Sequence, residues 1–127
     1  MRENLFHGKR KDNGEWVEGC LLGSDVIVPK GQPFYICHDI LDSALKAYEV
    51  IPETVGQHIE RKDKNGKKIF EGDIVRDTED FDVGKIFFDT YTAMFVIGFE
   101  TTIADFNDGY SLEVIGNIYD NPELGGS

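Results

Sequence analysis

The sequence is poor in several features that usually announce a function: it has two cysteines, four prolines, one tryptophan and no long uninterrupted apolar run in 127 residues. A membrane-crossing helix needs about 18 or more consecutive apolar residues, so no membrane is expected among its partners. Residues 1–13, MRENLFHGKRKDN, are too polar for a secretory leader, and the chain is expected in the cytoplasm. Two cysteines without an export signal are expected to be reduced, packed side chains. The zinc-capable set is Cys20, Cys37, His7, His38 and His58, with no paired spacing. Cys37 and His38 are adjacent and would point to opposite faces of a strand. Ser24, Ser43 and Ser111 lack a nucleophile-elbow context, and Gly66-Lys67 lacks the preceding spacing of a phosphate-binding loop. Asp77, Glu79, Asp80 and Asp82 alternate like oxygen ligands but lack the glycine and terminal glutamate of a calcium loop. The expectation is therefore no catalytic residue, no metal, no cofactor and no enzyme.

What the sequence does have is core-forming material. It is 40% hydrophobic with nine phenylalanines, enough for a chain of this length to fold as one domain without metal or disulfide support. Short runs rich in Val, Ile, Phe, Tyr and Thr alternate with Gly, Asn, Asp and Pro, a pattern that predicts antiparallel β structure. The predicted strands are Leu5–Gly8, Glu15–Leu22, Val26–Pro29, Phe34–His38, Ala47–Ile51, Ile74–Asp77, Val83–Phe88, Ala93–Phe99 and Leu112–Ile118. Met94–Ile97 is apolar on both faces and is expected at the centre of its sheet. Asp39–Lys46 reads either as a helix of two turns capped by Asp39 or, in the favoured reading, as part of a hairpin whose turn Leu41–Ala44 joins Phe34–His38 to Ala47–Ile51. Asn13-Gly14 and Asn65-Gly66 each suggest a tight type I′ turn with positive φ at both residues. The fold class is thus all-β or β-rich, with at most one or two short helices.

One set of residues carries a resemblance. Pro52-Glu53-Thr54-Val55-Gly56-Gln57, followed by the run Lys62-Asp63-Lys64-Asn65-Gly66-Lys67-Lys68-Ile69-Phe70-Glu71-Gly72-Asp73-Ile74-Val75, resembles the YopX protein family. Phe6 and Gly8 through Asn13-Gly14-Glu15-Trp16-Val17 to Gly19 are similar to the family's opening, and Val114-Ile115-Gly116-Asn117-Ile118-Tyr119-Asp120-Asn121-Pro122-Glu123-Leu124 to its closing signature. The resemblance implies a phage- or prophage-associated protein with an SH3-like small barrel portion and no established activity, acting in the host cytoplasm. It assigns no catalytic residue. The implied organisation is one domain over residues 1–124, with a hairpin portion over about 1–46, a barrel portion over about 47–124 and a frayed tail at 125–127. Stretches 32–48 and 76–110 match no motif of the family, and a specialised role belongs there. The motif residues have folding explanations: turns at Gly56, Gly66 and Gly72, core packing at Ile69, Ile74 and Val75, and backbone bonding by Asp73.

Charge is unevenly distributed. The net charge is −11, yet residues 61–76 hold six Lys or Arg against three Asp or Glu, a net of +3. Residues 77–127 hold one lysine against eleven acidic residues, a net of −10. Arg61, Lys62, Lys64, Lys67, Lys68 and Arg76 would form a basic face beside an acidic last third. The first functional expectation is a non-enzymatic protein-interaction module, including a homo-oligomer joined through opposite charges. The second is a nucleic-acid-binding small barrel using hairpin 61–76, with Trp16, Tyr35 or Phe70 as stacking groups. The acidic last third raises the further idea of nucleic-acid mimicry.

Overall fold

The computed structural model describes residues 5–22, 26–29, 48–106 and 110–124. Eleven strands account for most of them: β1 Phe6–Lys9, β2 Trp16–Leu22, β3 Val26–Pro29, β4 Tyr48–Glu49, β5 Gly56–Lys62, β6 Lys68–Phe70, β7 Asp73–Asp77, β8 Val83–Asp89, β9 Met94–Phe99, β10 Ile103–Ala104 and β11 Leu112–Asn117. A 3-10 turn, Pro52–Thr54, precedes β5. All pairings are antiparallel, so the β-rich fold class expected from the sequence is present. The strands lie in open sheets, and no closed barrel is formed among the described residues. Predicted strand Phe34–His38 and the helix-or-turn segment Asp39–Lys46 lie outside the described residues.

The chain separates into two compact units, Met1–His58 and Ile59–Ser127, and the division falls inside β5. In the first unit the strand order is β4-β3-β2-β1-β5. Leu5, Ile27 and Val50 are its buried apolar side chains. Gly8 on β1 faces Val50, where an added Cβ would sit 2.9 Å from Val50 Cγ2, so the absence of a side chain lets the two pack. Thr54 ties the 3-10 turn down: its Oγ1 accepts from Lys9 N at 2.9 Å and donates to Ile51 O at 2.6 Å. Cys20, on β2, is disulfide-bonded, against the expectation of a reduced side chain. Cysteine spacing does not report which segments the fold returns to within bonding range. The other cysteine of the sequence, Cys37, is outside the described residues.

The second unit is built on the sheet β10-β9-β8-β7-β11. Ile69, Val75, Ile86, Ile97 and Leu112 form its core, with Ile59, Phe99, Phe106 and Val114 packed around them. Alternation explains this set, because Val75, Gly84, Ile86 and Ile97 occupy one face of successive paired strands. β8 is the central strand, and β9 lies next to the edge, which corrects the central placement expected for Met94–Ile97. Met94 is 41% exposed, so only Val96 and Ile97 of that run are buried.

The Asn-Gly turns also differ from expectation. Gly14 and Gly66 have φ of 75° and 83°, but neither Asn13 nor Asn65 has positive φ. The second loop closes with Gly66 N to Asp63 O at 3.0 Å and Asp63 N to Lys67 O at 2.8 Å. That is a wider loop with the left-handed residue last, which needs glycine at one position only. Gly56 has no positive φ and begins a strand, so its expected turn role is not observed.

Candidate functional site

The basic stretch of the second unit converges on a cavity of about 350 Å³. β5 ends in Arg61 and Lys62, the loop to β6 supplies Asp63 and Lys64, and Phe106, Tyr110 and Leu112 complete the wall. The Arg61 guanidinium lies 5.8 Å from the centre of the Phe106 ring, within cation–π range. Arg61, Lys62 and Lys64 are exposed and make no ion pair among the described residues. Three cations beside two aromatic rings are suited to a negatively charged ligand with flat or apolar portions.

Asp63 holds this corner together. Its Oδ1 accepts from Asn65 N and Lys67 N, each at 2.9 Å, and its Oδ2 accepts from Val114 N at 2.9 Å. Lys64 N donates to Leu112 O at 2.9 Å, a second tie between the loop and β11. Burial alone would raise the Asp63 pKa, but the three N–H donors and the Lys67 charge together hold it below the usual 3.8. Its charge is spent on backbone donors, which leaves the neighbouring cations to face outward.

The remaining candidates separate. Lys67 is exposed on the same loop, whereas Lys68 is half-buried. Arg76 is committed to Glu113 across the β7–β11 pair at 2.6 Å. Of the expected stacking groups, Phe70 is 3% exposed and belongs to the interior. Trp16 lies 4.5 Å from the His7 ring in the first unit, and Tyr35 is outside the described residues. The aromatic residues that do line the cavity, Phe106 and Tyr110, are distant in sequence from the cations and carry no local signal that joins them. Asp77 is buried and accepts from Glu79 N at 3.1 Å, so within the acidic run it serves the turn. A wider cavity of about 750 Å³, lined in part by Phe81, Lys85, Phe99 and Leu124, has Asp82 and Glu100 against its one lysine and does not favour anions.

The same geometry explains the signature residues. Asp73 Oδ2 accepts from Phe70 N at 2.8 Å across the Glu71-Gly72 turn, and Gly72 adopts φ 93° with its Cα side against the Tyr119 ring. Asn117 Oδ1 accepts from Tyr119 N and Asp120 N, closing the turn that follows β11. A family model described as YopX protein matches residues 5–124. The chain belongs to the YopX family. The match takes in every signature stretch, and in this YopX chain those stretches supply strands β1 and β6, parts of β2, β7 and β11, and the hydrogen-bonded turns beside them. Cavity residues Phe106 and Tyr110 fall in the stretch 76–110 where no family motif was recognised. No curated protein matches the chain. Among the described residues no helix is long and apolar enough to cross a membrane.

Proposed function

We propose that this YopX-family chain is a non-enzymatic accessory protein of phage or prophage type, whose second unit binds an acidic segment of a partner protein. The observation that supports the reading is the cationic–aromatic cavity: Arg61, Lys62 and Lys64 face outward beside Phe106 and Tyr110. An acidic peptide offers carboxylates to the cations and apolar stems to the rings. Residues 77–127 of another copy, at net −10, carry such segments, so salt-sensitive self-association belongs to the same reading.

Nucleic-acid binding is the second reading, favoured by the pairing of Arg61 with Phe106 and ranked lower because the acidic last third repels phosphates. Fluorescence anisotropy with a labelled oligoglutamate-aromatic peptide and a labelled single-stranded oligonucleotide separates the two. Peptide affinity should fall about tenfold when Arg61, Lys62 and Lys64 are replaced by Glu, and should fall with salt. Preference for the oligonucleotide would move the assignment to the second reading, and indifference of peptide binding to the three substitutions would sink the first.

A further inference from the structure

The wider cavity of the second unit, about 750 Å³, is walled by three segments far apart in sequence. Phe81 and Asp82 come from the turn before β8, Phe99 and Glu100 from the end of β9, and Leu124 from the closing turn. Gly84 pairs with Phe99, so Asp82 and Glu100 sit just outside the same end of the β8–β9 ladder. Both are exposed and make no ion pair among the described residues. Lys85 is the cation of this wall, and no other Lys or Arg occurs in residues 77–127.

Phe81 is placed where a large side chain is rarely found. Its φ of 63° lies in the left-handed region, and the residue is 70% exposed. Core packing does not explain that position. Two bonds fix it: Phe81 N donates to Asp77 O at 2.7 Å, and Asp77 N donates to Asp82 O at 2.8 Å. The turn thereby holds an aromatic residue and a carboxylate, neighbours in sequence, on one cavity wall.

We propose that this cavity is a second binding site, opposite in sign to the first, and that it takes an arginine-bearing segment of a partner protein. Chemistry selects the occupant. Aromatic faces attract a cation, and the two carboxylates supply charge and hydrogen-bond acceptors. A guanidinium uses both, because its planar fork matches a carboxylate and its face stacks on a ring, whereas an ammonium is a point charge. Volume argues for a segment over a free amine, since about 750 Å³ is the size of a cavity that encloses a drug-sized ligand. Eleven acidic groups against Lys85 in residues 77–127 give the surroundings a field that draws in a basic segment. The inference does not rest on the acidic-segment reading, which concerns the other cavity.

Fluorescence anisotropy on the full chain tests it, with a labelled peptide of alternating glycine and arginine as the probe. Asp82→Asn, Glu100→Gln and Phe81→Gly should each raise the dissociation constant about three- to fivefold. Glycine suits the positive φ, so Phe81→Gly removes the ring while its thermal midpoint should not fall. Glu53→Gln, at an exposed carboxylate of the first unit, should leave the affinity unchanged and so measures the attraction of any basic peptide to a chain of net charge −11. Replacing Arg61, Lys62 and Lys64 by Glu should not weaken binding. Equal affinity across the cavity variants and Glu53→Gln overturns the proposal. The peptide with lysine in place of arginine should bind several-fold more weakly, and equal affinity would overturn the assignment to arginine. Spermine binding more tightly than the peptide, with the same dependence on Asp82 and Glu100, would overturn it in favour of a free polyamine.

Discussion

At the scale of single residues, two carboxylates of the second unit are pulled in opposite directions by their surroundings. Asp63 is buried yet held below its usual pKa by N–H donors from Val114, Lys67 and Asn65. Its contribution is present above about pH 4 and is lost as pH falls through its folded pKa. Burial dominates at Asp73, to which Phe70 N donates, and its pKa is raised to about 7. A carboxyl with a raised folded pKa favours the folded state while protonated, so this contribution is lost as pH rises from about 4 to 7. Asp73→Asn keeps an acceptor for Phe70 N and removes the ionisation. Urea denaturation should show the variant more stable than the parent at pH 8, on the order of 2–4 kcal/mol, with the gain vanishing near pH 4. Equal stabilities at both pH values would mean that Asp73 is not buried in this way. Asp63→Asn should do the reverse, destabilising by about 1–3 kcal/mol at pH 7, because one amide cannot accept from all three donors.

At the scale of elements, the sheet of the second unit depends on close strand approach. Gly84 lies on β8 opposite Val75 and Phe99, and a Cβ there would sit 2.7 Å from Ile97 Cγ2 and 3.2 Å from Gly98 O. Gly84→Ala should therefore cost about 1–3 kcal/mol in chemical denaturation, and a neutral result would show that β8 and β9 can separate locally. Strands with dense Val, Ile and Phe content, such as β3, β8 and β9, were legible in the sequence within a residue or so at each end. β5, GQHIERK, was not, because five of its seven residues are polar or charged and pairing with β1 and β6 makes it a strand. β6 and β10, with three and two residues, are too short to show a period. Asn65-Gly66 correctly marked a hairpin, but the carboxylate of Asp63 reshaped the loop that the dipeptide alone suggests.

At the scale of the whole chain, net charge acts on stability as well as on association. Ion pairs among the described residues, such as Arg10–Asp12, Lys11–Glu49 and Arg76–Glu113, are at least partly solvent-exposed and offset little of the repulsion of a net charge of −11. Screening should therefore stabilise: raising salt from low to moderate ionic strength at pH 7 should lift the thermal midpoint by roughly 2–5 °C. A midpoint that falls with salt would show that attractive pairs outweigh the repulsion.

Composition and local pattern by themselves determined the β-rich class, the family and the basic stretch beside an acidic one, because strand alternation, turn residues and charge runs are written in neighbouring positions. Tertiary structure alone decided that Phe106 and Tyr110 join Arg61, that Arg76 is spent on Glu113, that Phe70 is interior and that Phe81, Phe99 and Leu124 share the wider cavity. Each of those facts depends on which distant segments share a surface, a property of pairing and burial that no local window of residues contains.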